Sequence, residues 1–264
     1  MVGVSGPKDT SGAVNGSGAV NGTVSLDWHD ERVAVITIRR PHRRNAVDLD
    51  ALRAIRSHQL AVADRARVVV LTGEPPAFCA GADLNGVEGD EFADALGDAL
   101  RGFTQLSCVT LAAIDGPAMG AGSQLALSCD LRMATATSRF GIPAAKLGLV
   151  VDRWTIERAG HEFGWPVARH MLLGGGVYTT EQLHPLGGIH RIGTLADALE
   201  WAEEVSELAP LSNAAHKHGF ETAMAPHQGD AIFDEMRARA WSSNDALEGP
   251  RAFLEKRKPR FSGS

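Results

Sequence analysis

The chain has 264 residues, 44 % of them apolar and 22 % charged, which is enough for one large globular domain with a small helical appendage. Its formal net charge of −6, with no long basic run, argues against nucleic acid as a partner and leaves only local cations to hold a polyanion. No stretch approaches the roughly 20 apolar residues of a membrane span.

The first 25 residues are rich in Gly, Ser and Asn, and the unit GAVNG occurs twice, at Gly12 to Gly16 and Gly18 to Gly22. Such a segment buries too little to offset its ordering entropy, so residues 1–25 are expected to be a flexible tail. No charged n-region followed by an apolar h-region marks a signal peptide. Cys79, Cys108 and Cys129 sit in apolar settings without a CxxC pair, so free thiols and a cytoplasmic location are expected.

Strands and helices then alternate. Val33 to Ile38 reads as a strand, and Asp48 to Asp64 as a helix with Asp48 as its N-cap. Arg67 to Thr72 is an apolar run typical of a strand buried on both faces. A helix over 90–106, a strand over 110–114, a helix over 120–128 and a strand over 131–134 complete an α/β pattern. From Asp152 the pattern is mostly helical, over about 153–164, 166–173, 194–208, 212–224, 229–241 and 244–256, with Ile189 to Ile192 as a short last strand. The expected organisation is a core over 26–200 and a helical region over 201–264 that serves as lid and subunit contact.

Two small-residue turns carry the chemistry. Phe78 to Asn85 (FCAGADLN) follows the buried strand, and Ala113 to Ala126 runs from a strand end through Gly116 and Gly120 into a helix. Small residues let a ligand approach the backbone, and a helix N-terminus offers free N–H donors. The second turn lacks GxGxxG spacing and a GK[ST] triplet, so it matches neither a dinucleotide fingerprint nor a Walker loop. One N–H from each turn would suit the oxygen of an enolate.

At this point the sequence resembles the crotonase (enoyl-CoA hydratase/isomerase) superfamily. The segments RRPHRRNAVD (39–48), AFCAGADL (77–84), AAIDGPAMGAGSQLALSCDLR (112–132), FGIPAAKLGL (140–149) and FLEKRKPRFSG (253–263) look like its successive motifs, from near the start to the end of the chain. The resemblance implies a spiral of ββα units with a helical C-terminal region, a homotrimer or dimer of trimers, and a CoA thioester (acyl-CoA or enoyl-CoA) as substrate or ligand, with no other cofactor and no metal. It assigns the oxyanion hole to the N–H groups of Ala82 and Ala121. It assigns thioester and pantetheine contacts to Ala80, Asp83, Leu84 and Asn85, and nucleotide contacts to the loop with Arg43, Arg44 and Ala46. The alternative for Arg43 and Arg44 is a solvated surface pair.

The sequence departs from the hydratase pattern at both glutamates. Gln124 stands at one position and Ala144 at the other. Glutamine hydrogen-bonds water but does not take its proton, and alanine does neither. Asp152 matches a position where some isomerases of the superfamily carry a catalytic Asp; it also reads as the N-cap of the helix starting at Arg153. Trp154 either walls an acyl pocket or packs in the core. Glu157 and His161 lie one turn apart without an HExxH pattern, so zinc is not implied. Three functions stay open: enoyl-CoA hydratase/isomerase activity, isomerisation through Asp152, and non-catalytic acyl-CoA binding.

Overall fold

A computed structural model describes residues 22–84, 89–223, 238 and 241–260. The main sheet has six strands in the order β1 (Val24–Trp28), β2 (Val33–Ile38), β3 (Val68–Gly73), β4 (Val109–Ile114), β6 (Leu131–Ala134) and β9 (Arg191–Ile192). β1 pairs antiparallel with β2, and every later pair is parallel.

All six residues of β3 are buried, and its alternation shows why. Val69 and Leu71 face the larger apolar core, while Val68 and Val70 face a second cluster with Leu111, Met133, Ala198 and Trp201. A strand covered on both faces reads as an unbroken apolar run. The second cluster is closed by α7 (Leu195–Ser206), whose buried face holds Ala198, Trp201 and Ala202. The boundary expected at 200/201 therefore falls inside a helix that packs on the sheet.

A second, smaller sheet positions the site. It joins β5 (Pro117–Met119), β7 (Arg139–Gly141) and β8 (Tyr178–Thr179). Isolated bridges, Val47 with Ala82 and Cys79 with Ala118, extend the same row of short extended segments. Each long strand is thus followed by a short step on this row and then a helix: α1 (Leu49–Val62), α2 (Asp90–Gln105) and α3 (Ala121–Ser128) after the first three steps. This is the repeating ββα spiral expected above. Pro117 to Met119, read from sequence as part of a turn, is one of its strands because it hydrogen-bonds between Cys79 and β7.

Asp48 caps α1 by accepting from the Ala51 N–H at 2.9 Å. The segment read as a tail over 1–25 is corrected at its end. Val24 and Ser25 belong to β1, both buried and paired with Ile38 and Thr37; the hydrophobic partner strand sets that start. Residues 1–21 lie outside the described residues, as does nearly all of the helix expected over 229–241. The remaining helices are α4 (Arg153–Phe163), α5 (Trp165–Leu173), α6 (Thr180–Leu183), α8 (Pro210–Ala223) and α9 (Asn244–Leu254). Within 210–222 of α8 only Lys217 is buried. Its ammonium donates to Phe103 O at 2.8 Å and Cys108 O at 3.1 Å, and meets Asp130 at 2.8 Å. Among the described residues, no helix is long and apolar enough to cross a membrane.

Candidate active site

The two small-residue turns are laced together by main-chain hydrogen bonds. Val47 N donates to Gly81 O and Asp83 N to Val47 O, both at 2.8 Å. Cys79 N donates to Pro117 O at 3.0 Å, Met119 N to Cys79 O at 2.9 Å, and Gly120 N to Gly141 O at 2.8 Å. Two of the glycines are required by this crossing. Gly81 has φ +123°, a conformation that disfavours L side chains. A Cβ on Gly122 would lie 2.1 Å from Cys79 O.

The lacing leaves Ala82 and Ala121 side by side at one cavity of about 850 Å³. Ala121 is the first residue of α3, where no intrahelical acceptor exists. Neither the Ala121 N–H nor the Ala82 N–H donates to any described residue. The cavity is also lined by Phe92, Leu96 and Leu100 from α2, and by Trp241, Phe253 and Leu254 from the C-terminal region. α9 seats on the loop over 144–150 so closely that a Cβ on Gly249 would lie 1.9 Å from Leu147 O. Trp241 donates its indole N–H to Val150 O at 3.0 Å.

One wall holds Ala46, Ala80, Asp83 and Leu84. Asp83 is turned onto Arg40, whose Nη2 lies 3.1 Å from it and 2.6 Å from Asp48. Arg40 also donates to Ala46 O. Asn45, fully buried, accepts from Arg40 N at 2.8 Å and donates to Glu74 O and Ala77 O. Asp83 therefore fixes the loop rather than facing a ligand through a free carboxylate. Arg43 and Arg44 are exposed at the cavity mouth, with Arg43 3.9 Å from Asp83. Lys146 and Arg139, also exposed, line the mouth without a carboxylate partner among the described residues. Asn85 lies outside the described residues.

The opposite wall carries Gln124, Ala144 and Asp152. Gln124 Nε2 donates to Thr155 Oγ1 at 2.7 Å. Asp152 caps α4, its Oδ1 accepting from Thr155 N at 3.0 Å. Among the described lining residues Asp83 and Asp152 are the only carboxylates. Trp154 is corrected: it does not line the cavity, but packs half-buried against the core from α4. The tryptophan at the cavity is Trp241, and no periodicity links it to the loop it meets. Arg40, Thr155 and Lys146 are further residues that the sequence reading passed over.

Cys79, buried within the first turn, donates weakly to Gly81 O at 3.6 Å. Burial pushes its thiol up to about 12, so at neutral pH it is a packing group and not a nucleophile. No group of three ligating side chains that would hold a metal occurs among the described residues.

Comparison with known proteins fits this arrangement of paired turns on a ββα spiral. A family model described as enoyl-CoA hydratase/isomerase matches residues 29–264. The chain belongs to the enoyl-CoA hydratase/isomerase family. Relatives of this family include a protein of Mycobacterium tuberculosis (strain CDC 1551 / Oshkosh) named "Probable enoyl-CoA hydratase echA6", 39 % identical over 239 residues, covering 89 % of this chain and 97 % of the relative. The 2,3-dehydroadipyl-CoA hydratase of Escherichia coli (strain K12) is 32 % identical over 248 residues, with 88 % and 96 % covered. An enoyl-CoA hydratase/isomerase crystal structure from Pseudoalteromonas atlantica T6c superposes with a TM-score of 0.78 at 25 % identity, over 91 % of this chain and all of that one. Membership of the crotonase superfamily and the crotonase fold, both expected from the five motif segments, are borne out. Membership of the enoyl-CoA hydratase/isomerase family accounts for the scaffold, and Gln124, Ala144 and Asp152 are this chain's own residues on the cavity lining.

Proposed function

We propose that this chain binds fatty acyl-CoA thioesters, with the thioester carbonyl on the N–H groups of Ala82 and Ala121, and that it hydrates enoyl-CoA poorly. The observation that carries this reading is the contrast between two main-chain donors at the cavity that have no partner among the described residues and the absence of either hydratase glutamate, replaced by Gln124 and Ala144. One such donor contributes on the order of 3 kcal/mol to an oxyanion. Loss of the acid–base pair removes roughly 10²–10⁴-fold in rate. The exposed Arg43, Arg44 and Lys146 at the mouth suit the phosphates of a CoA tail. The name of the Escherichia coli relative, which is a hydratase of a CoA thioester, supports the ligand class. The active form is a cytoplasmic homotrimer or dimer of trimers without metal or further cofactor.

Titration with saturated acyl-CoAs of C4 to C16 is expected to raise the melting temperature, because a ligand of the native state stabilises it by mass action. Crotonyl-CoA hydration is expected far below the roughly 10–10³ per second of efficient enzymes. No thermal shift with any chain length, or efficient turnover, would refute the reading.

A second reading is favoured by one atom. Asp152 Oδ1 caps α4, but Oδ2 has no partner among the described residues. A single carboxylate that lifts and returns one proton suffices for double-bond isomerisation. Asp152→Asn keeps the cap and the size, so it should abolish isomerase turnover while sparing acyl-CoA binding. Full turnover in this variant would remove Asp152 from catalysis.

A further inference from the structure

Gly81 O and the Ala82 N–H belong to one planar trans peptide, so they point in opposite directions. Gly81 O is held by the Val47 N–H at 2.8 Å, which turns the Ala82 N–H the other way, toward the cavity that Ala82 lines. The Val47 N–H belongs in turn to the Ala46–Val47 peptide, and Ala46 O accepts from Arg40 Nη1. Two peptide groups therefore stand in series between a guanidinium and the Ala82 N–H. Arg40 is buried and does not itself line the cavity. The loop curls to bring it there. Arg40 N donates to Asn45 Oδ1 at 2.8 Å and Asn45 N to Arg40 O at 2.9 Å, while Arg44 and Asn45 take left-handed φ of 51° and 56°. Non-glycine residues hold that conformation only where the surroundings impose it. The other arm of the fork, Nη2, carries the carboxylates of Asp48 at 2.6 Å and Asp83 at 3.1 Å. The second donor has a different source. Gly120 O, in the peptide of the Ala121 N–H, accepts from Gln124 N at 3.0 Å in the first turn of α3, so the helix dipole stands behind Ala121.

We propose that Arg40 is a positioning residue whose cation, acting through the Ala46–Val47 and Gly81–Ala82 peptides in series, aims and polarises the Ala82 N–H toward the thioester oxygen. The inference rests on the thioester reading above. Hydrogen bonds in a chain strengthen one another by roughly 10–30 % per bond, and a charged donor at the head of the chain is stronger than a neutral one. Arg40 thus does for Ala82 what the helix does for Ala121. The two carboxylates on Nη2 hold the fork in place, and their charge opposes the polarisation that Nη1 passes on. Removing one of them should leave more of it.

The test is infrared spectroscopy of octanoyl-CoA labelled with carbon-13 at its thioester carbonyl. In the wild-type chain the bound carbonyl band is expected below its position in water, because donors aimed at the oxygen weaken the C=O bond. Arg40→Met should reverse at least roughly 10–30 % of that fall. Asp48→Asn keeps the cap of α1 and the Arg40 donation to Ala46 O while it removes a counter-charge, so the fall should be at least as large as in the wild type. A role confined to holding the loop predicts the reverse, since loss of this ion pair loosens the same fork. Asp48→Asn carries the test alone if circular dichroism shows Arg40→Met unfolded. A band that folded Arg40→Met leaves in place, or that Asp48→Asn moves back toward its position in water, would overturn the proposal. If octanoyl-CoA does not bind, or binds with its carbonyl band no lower than in water, the thioester reading itself fails.

Discussion

The two walls of the cavity treat their polar groups in opposite ways. On the wall that presents Ala82, Arg40 joins Asp83, Asp48 and Ala46 O, and Asn45 joins three main-chain groups. On the wall that presents Ala121, Gln124 and Asp152 each spend one atom on Thr155 and have one more without a partner among the described residues. The closed wall is built to hold one N–H in place. The open wall is built to meet something that is not part of the chain. Paired and open polar groups thus line different parts of one space.

Breaking the closed wall should have the largest effect. Arg40→Met takes from Asp83, whose side chain is 11 % exposed, its nearer cation and leaves Arg43 at 3.9 Å. Removing one partner of a buried pair costs about 3–5 kcal/mol. Urea unfolding measures it, and a loss below about 1 kcal/mol would mean that pairing does not close this wall. Next is the joint between the walls. Gly122→Ala pushes a methyl into Cys79 O, so the two turns must part. About 2–3 kcal/mol of stability is expected to go, together with acyl-CoA affinity; unchanged affinity would separate the joint from the site.

The three buried thiols give a smaller, pH-dependent effect. Burial raises Cys79 and Cys129 from 9.0 to about 12 and Cys108 to about 11. Above pH 9 the unfolded chain releases thiol protons that the folded chain keeps. Stability is therefore whole below that value and falls as pH rises toward the folded values, with a limiting slope of about 1.4 kcal/mol per pH unit for each thiol. Urea midpoints at pH 8, 9 and 10 should show this fall, and Cys79→Ala should flatten it; a profile level to pH 10 would contradict the burial of all three. The smallest effect belongs to the open wall. Asp152→Ala removes a cap and should cost about 1 kcal/mol, whereas Asp152→Asn should cost almost nothing. Equal losses in the two variants, by thermal melting, would show that charge rather than capping ties Asp152 to α4.

Much of the fold was legible because its elements repeat simple patterns. The strand over 68–73 reads as doubly buried because both its faces are covered, and Asp48 reads as a cap because it is one. The two small-residue turns read as a site because glycine is required where they cross. Residues that act through distant contacts were not legible. Nothing near Thr155 in sequence points to Gln124, 31 residues earlier, and Trp241 meets Val150 across 91 residues. Lys217 is buried by carbonyls of Phe103 and Cys108 and by Asp130, all about 90 to 110 residues earlier in the chain. Arg40 had a signal. It shares the parity of the buried Ala34, Ile36 and Ile38, so the alternation of β2, carried two residues past the strand, points it inward.

Ala82 and Ala121 offer their N–H groups from the main chain, so exchanging either side chain leaves the donor standing. Only proline deletes it, and at the first residue of α3 proline's fixed φ already fits a helix start. An Ala121→Pro chain would be a scaffold with one donor excised and its helix intact. Gln124, Ala144 and Asp152 meet the cavity through their side chains, and Gln to Glu or Asp to Asn is one base change in a codon. On the proposed reading, a gene for this chain carries its grip on the thioester in the fold itself, while the reaction turns on single bases at a few positions around it.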